Sequence, residues 1–349
     1  MKMGRPLNEI AAEIQANISR REDYISPGEK IEMTPSGFLR MEDQRFNLSN
    51  TAHGNLSRRL EIPKVYYDKM RVETPDLLSD NVNVWLKKSG RHMIRSMQSV
   101  GIHKTCRAVL SERYRRIDND AVMEGLYPIL NKEPGMRVES CEITETKFYL
   151  KAVFPALERD VGLNDPVQSG VVISNSEVGY GSTSIAMLIY RLACLNGMIV
   201  ADEAFKARKN HVGKVLEFDD NFRISSDETQ DLQNKAFLSH LADIIKAAAD
   251  PNVFHNVVSD LQDAAGRKMS GNVEETVENI TRHLTLTQDE GSSVLENLVR
   301  DGDYSQWGLA NAVTRTAQDA LSYDRASDLE RFGGKVINLK PNEWEKIAA

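Results

Sequence analysis

The spacing of apolar residues changes twice along this chain, and that change limits the folds open to it. Leu7, Ile10, Ile14 and Ile18 recur at helical spacing, which predicts a helix over residues 7–22. Residues 29–48 alternate loosely and suit a hairpin through Pro35, Ser36 and Gly37. Ser49 or Asn50 can cap a helix over 50–60, Pro63 opens another, and residues 76–88 read as a third, with Leu77, Leu78, Val82 and Trp85 on one stripe. The middle is β-like: 92–97, 104–110, 136–145, 147–154, 167–176 and 183–195, with one helix over 119–130. From Asp227 the helical period returns over 230–247, 252–268, 273–283, 287–300 and 304–322, followed by a polar tail over 323–349. Strands and helices do not alternate regularly, which excludes a Rossmann sheet. The expected fold is α+β: a mainly antiparallel sheet core with N-terminal helices, followed by an α-helical C-terminal region. The expected divisions are 1–90, a helical and hairpin region; 91–215, the α+β core; and 216–349, acidic and helical.

Composition narrows the class. The chain has 349 residues, 41% hydrophobic and 27% charged, which is ordinary for a globular protein. No apolar run reaches the roughly 18 residues of a spanning helix, so no membrane role is expected. The N-terminal residues lack the apolar stretch of a signal peptide. Cys106, Cys141 and Cys194 are an odd, widely spaced set, suited to a reducing compartment, and cytoplasmic localisation in a bacterial host is expected.

Charge is unevenly placed. The net is -7, yet residues 217–349 hold 13 Lys/Arg against 24 Asp/Glu. Within the first half, residues 85–116 carry Lys87, Lys88, Arg91, Arg95, Lys104, Arg107, Arg113, Arg115 and Arg116, opposed only by Glu112. A local basic stretch outweighs global charge for phosphate binding, because fields are screened beyond about 10 Å. Trp85 and Tyr114 flank it. Single-strand binders pair a basic groove with aromatic platforms, since every base has a π-face. Tyr114 sits in so charged a run that it is expected to be exposed. Lys206, Arg208, Lys209 and His211 form a second basic cluster.

Catalytic signals are weak. The segment Ser174 to Ser184 is glycine-rich but lacks the Lys-Ser/Thr ending of a phosphate loop, and a hairpin turn explains it. The seven histidines form no HExxH or HxH pair, so neither a metal nor another cofactor is expected. His92 and His103 lie inside the basic stretch and could bind phosphate or simply be exposed.

Three stretches together resemble the phage/plasmid-like protein family, a domain-of-unknown-function family of phages, prophages and plasmids. The first runs from Phe46 to Ser49, through Leu60 to Pro63, to Asn83 to Leu86. The second joins Ser111 to Arg116, Ile117 to Glu124 and Ile173 to Ser176 with Gly179, Arg191, Cys194, Asn196, Gly197 and His211. The third is Trp307 to Thr314. Glu61 stands where the family-like step favours Gly. The resemblance implies a mobile-element context rather than a mechanism. Together with the basic stretch, it leads to the expectation of a nucleic-acid-binding protein that favours single-stranded DNA, in annealing, recombination or replication. Oligomerisation is expected as well. The contacts assigned to nucleic acid are the nine basic residues of 85–116 named above, together with Tyr114, Arg191, Lys206, Arg208, Lys209 and His211. The alternative is an interaction or counter-defence protein that engages a host protein partner through its acidic helical half. A metal-dependent nuclease ranks last.

Overall fold

The computed structural model describes residues 1–99, 104–114, 116–200, 207–209 and 227–349. The elements run α1 (Leu7–Ile18), β1 (Arg21–Pro27), β2 (Ile31–Met33), β3 (Phe38–Met41), β4 (Gln44–Leu48), α2 (Asn50–Arg59), α3 (Lys64–Glu73), α4 (Pro75–Lys88), β5 (Arg91–Gln98) and β6 (Lys104–Ser111). Next come α5 (Asn119–Leu130), β7 (Arg137–Ile143), β8 (Phe148–Asp160), β9 (Pro166–Asn175), β10 (Thr183–Arg191), β11 (Asn196–Val200) and β12 (Ala207–Lys209). The rest is helical: α6 (Asp227–Ala248), α7 (Pro251–Gly266), α8 (Val273–Leu284), α9 (Gln288–Asp301), α10 (Gln306–Thr316), α11 (Tyr323–Ile337) and α12 (Pro341–Ile347).

Two sheets result. The first has the order β1-β5-β6-β4-β3-β2 and crosses residue 90. Its neighbours are antiparallel except β4 and β6, because the chain returns through α2–α4 and β5 before β6 is laid beside β4. The second has the order β11-β10-β9-β8-β7, antiparallel throughout, with β12 also pairing β10. The fold is α+β with largely antiparallel sheets and a helical C-terminal region, as the change of period implies.

Each sheet buries a face under helices. Ile31, Leu39, Phe46 and Ile94 of the first pack against Leu56, Tyr67, Met70, Val82 and Leu86 of α2–α4. Phe148, Leu150, Val171, Ile173 and Ile189 of the second share one core with α1, α5 and the C-terminal helices. Local chemistry sets the helix ends. The Ser49 side chain accepts from the Ala52 N–H. Thr287 and Glu290 form a capping box at α9, and Gly302 ends it in the left-handed region.

Several expectations need correction. Helix α1 stops at Ile18, because residues 21–27 are drawn into pairing with β5. Leu77 and Trp85 face solvent; the buried stripe of α4 is Leu78, Val82 and Leu86. The polar tail folds into α11 and α12, with Trp344 buried. Its polarity lies on outward faces.

Glu61 follows α2 at φ 54°, a left-handed conformation that a Cβ disfavours. Its place just past the helix end explains a preference for Gly there. Glu61→Gly is expected to stabilise the protein by about 1 kcal/mol, read as a higher denaturation midpoint. An unchanged or lower midpoint would refute the account.

Candidate nucleic-acid interface

Four of the nine cations in the basic stretch pair with carboxylates from outside it. On β5, Ile94 faces the helices, while Met93 and Arg95 face the other way. The register with β6 shifts between Arg95 and Ser96, a bulge of the kind that re-aims a side chain. Arg95 is 1% exposed. Its Nε donates to Asp23 Oδ1 at 3.1 Å, its Nη2 to Asp118 Oδ1 at 2.7 Å and its Nη1 to the Glu177 carbonyl at 2.9 Å. Arg21 reaches Asp118 at 3.1 Å and Asp120 at 2.8 Å. Arg107 donates to Glu177 Oε2 at 2.6 Å, and Arg116 lies 3.3 Å from Asp23. Lys104 bonds Glu22 and Tyr24. Burial pushes the Asp118 carboxyl up, but Arg95 and Arg21 outweigh it and hold it below the usual range. The assignment of Arg95 and Arg107 to phosphate contact is therefore corrected, while Lys104 and Arg116 each pair with a carboxylate of β1. They balance carboxylates of β1, α5 and the β9–β10 turn. Sequence distance hides this, because the partners lie 70 or more residues away for Arg95–Asp23 and Arg107–Glu177.

Tyr114 is also corrected. It is 6% exposed and packs with Met93, Ala108, Leu110 and Val178. Its hydroxyl donates to the Ser176 carbonyl at 2.8 Å. Glu112, Arg113 and Arg116 are exposed while the ring turns in. Tyr114 thus props the turn that carries Tyr180, and Tyr180 is the partly exposed aromatic, with the Arg58 guanidinium 4.8 Å from its ring centroid. The glycine-rich segment is the turn between β9 and β10, with Gly179 at φ 79°.

The remaining cations gather around this end. Lys87 and Lys88 are exposed at the C-terminus of α4, and Lys88 lies 5.0 Å from the exposed Trp85 ring centroid. Arg91 is exposed and 3.3 Å from exposed Glu112, a pair that contributes little. Arg113 is exposed on the turn after β6. Arg58 and Arg59, at the end of α2, were missed because they precede the +8 stretch in sequence. Arg59 donates to His92 Nδ1 at 2.9 Å, and His92 Nε2 is 2.6 Å from Ser89 Oγ, so α2 and α4 are tied at these ends. Burial, then Arg59, lowers the His92 pKa to about 4. It is a buried neutral clasp, not a phosphate ligand. Among the described residues, Arg58, Lys87, Lys88 and Arg113 have no carboxylate partner.

The second basic cluster reaches the same end through its backbone. Lys209 pairs with Thr183 and Arg208 with Ser184, beside the turn bearing Tyr180. Lys206, His211 and Arg115, as well as His103, lie outside the described residues.

Arg191 is elsewhere. Its Nε donates to Asp165 Oδ1 at 2.5 Å, and its guanidinium lies 5.9 Å from the Trp307 ring centroid. Trp307 Nε1 donates to Asp165 Oδ2 at 2.8 Å. Asn196 Nδ2 donates to Thr314 Oγ1 at 2.6 Å and to Asn311 Oδ1 at 3.3 Å. The family-like residues of the second and third stretches therefore meet, and they fasten α10 to the second sheet. Arg191 as a phosphate contact is corrected on this ground.

Among the described residues, no group of three or more His, Cys, Asp and Glu side chains stands close enough to hold a metal ion. No described helix is long and apolar enough to cross a membrane. No curated protein and no solved structure matches the chain. A family model described as Domain of unknown function (DUF932) matches residues 107–334, running from β6 into α11 and covering about two thirds of the sequence. The chain belongs to the DUF932 family.

Proposed function

We propose that this protein binds single-stranded DNA at the end of the molecule around the Tyr180 turn. The reading places it in recombination or replication of a phage or plasmid, in the cytoplasm of a bacterial host. The observation that supports it is the gathering of unneutralised cations from α2, α4 and the turn after β6 beside Tyr180. Arg and Lys there offset phosphate charge and release counterions. Tyr180 and Trp85 offer π-faces for bases. Annealing forms no covalent bond, so binding and display of the strand suffice. The acidic helical half remains available for a second copy or a host protein.

The test is fluorescence anisotropy with a labelled single strand across about 50–200 mM salt. Binding is expected to fall steeply with salt. In the triple variant Arg58→Ala, Lys88→Ala, Arg113→Ala, the log–log salt slope should shrink by about 2, since each single-strand phosphate contact contributes about 0.7. All three side chains are exposed, so folding is not at stake. No binding at low salt, or an unchanged slope in the variant, would refute the proposal.

A further inference from the structure

A cavity of about 480 Å³ opens beside the first sheet, at the start of α4. Lys87 and Lys88 lie at the other end of the same helix, roughly 15 Å away at 1.5 Å per residue from Leu78. The cavity is separate from the surface described above. Met33, Phe38 and Leu78 supply apolar wall. Besides Thr34 and Ser36 of the β2–β3 turn, polar side chains from three different elements line it: Asn47 of β4, His53 of α2 and Arg71 of α3.

His53 is 3% exposed, and its Nδ1 is 2.9 Å from the Tyr67 hydroxyl. That bond fixes the ring, and among the described residues Nε2 has no hydrogen-bond partner. Arg71 donates to Asn50 Oδ1 at 3.0 Å and has no carboxylate partner among the described residues. The Asn47 side-chain amide has no partner there either. With the Tyr67 hydroxyl donating to Nδ1, the neutral ring carries its proton on Nε2, and a cation without a counter-anion beside that N–H and a free amide is a recognition set for anionic oxygens. The apolar wall requires a body attached to that head. Burial, then Arg71 and Lys64, lowers the His53 pKa to about 4, so the imidazole is neutral near pH 7.

We infer that the cavity beside α2 and α3 binds a small organic anion, a phosphate monoester or carboxylate on an apolar body, with its charged head at Arg71 and its oxygen within reach of His53 and Asn47. Calorimetric titration of the full chain with phenyl phosphate and with benzoate tests this. Inorganic phosphate and phenol serve as single-feature probes. At least one of the two organic anions should bind saturably, and at least tenfold more tightly than either single-feature probe. Which of the two binds identifies the head group. Arg71→Gln and Asn47→Asp, at half-buried and exposed positions, should each weaken that binding at least tenfold while leaving the denaturation midpoint in place. Absence of saturable binding by both organic anions, equal binding of a single-feature probe, or binding indifferent to both substitutions would overturn the inference.

Discussion

Arg95→Met is expected to destabilise the protein by about 3–5 kcal/mol, the usual cost of removing one partner from a buried ion cluster. The loss is large because Arg95 answers three groups at once: Asp23, Asp118 and the Glu177 carbonyl. Those groups come from β1, the start of α5 and the β9–β10 turn, so one side chain joins the first sheet to the second. With methionine there, two carboxylates keep their burial and lose their main counter-charge. Arg95→Lys should recover only part of the loss, since an ammonium cannot present three donors in a planar fork. Denaturant titration of the three proteins checks the order. Acid should mimic the substitution. The folded pKa of Asp118 lies below its unfolded value of about 4. Its contribution is therefore complete above that value and is lost as pH falls through the folded pKa. Arg95→Met should flatten this acid limb. Wild-type stability in Arg95→Met would contradict the account.

Lys151→Met should cost about 3–5 kcal/mol as well, whereas Lys151→Met combined with Glu330→Leu should be neutral or more stable by about 1–4 kcal/mol. Lys151 on β8 and Glu330 on α11 are both fully buried, 2.5 Å apart. The second carboxylate oxygen of Glu330 has no partner. Burial pushes the Lys151 amine down, against the pull of Glu330. Two charges have thus been taken out of water with incomplete compensation. Removing one leaves the other exposed to the full desolvation cost; removing both lets apolar atoms fill the space. A double variant less stable than the wild type would show that the pair is a net stabiliser.

Much of the fold was legible in the sequence because it rests on local signals. The β-like runs at 92–97, 147–154 and 167–176 became β5, β8 and β9, and Ser49 caps α2 as its side chain allows. The site was legible only in part, because charge along the chain does not report pairing across it. Arg95 and Arg107 look like the centre of a basic patch until Asp23, Asp118 and Glu177 arrive from elsewhere in the chain. Tyr114 looks exposed until the alternate sides of its turn are separated. Arg58 belongs to the surface through the packing of α2 on the first sheet, which no window of sequence contains. Trp307 and Asn311 carried the family likeness, yet their contacts with Asp165 and Asn196 are those of assembly.

The central claim concerns where a strand lies, and photocross-linking locates it most directly. A single strand substituted with 5-bromouracil is bound at low salt and irradiated, and the adducts are mapped by mass spectrometry. The account predicts adducts in the peptides that hold Tyr180 and Trp85, competed away by unlabelled strand and by salt. Adducts confined to the helices after Asp227, or none at all, would contradict it.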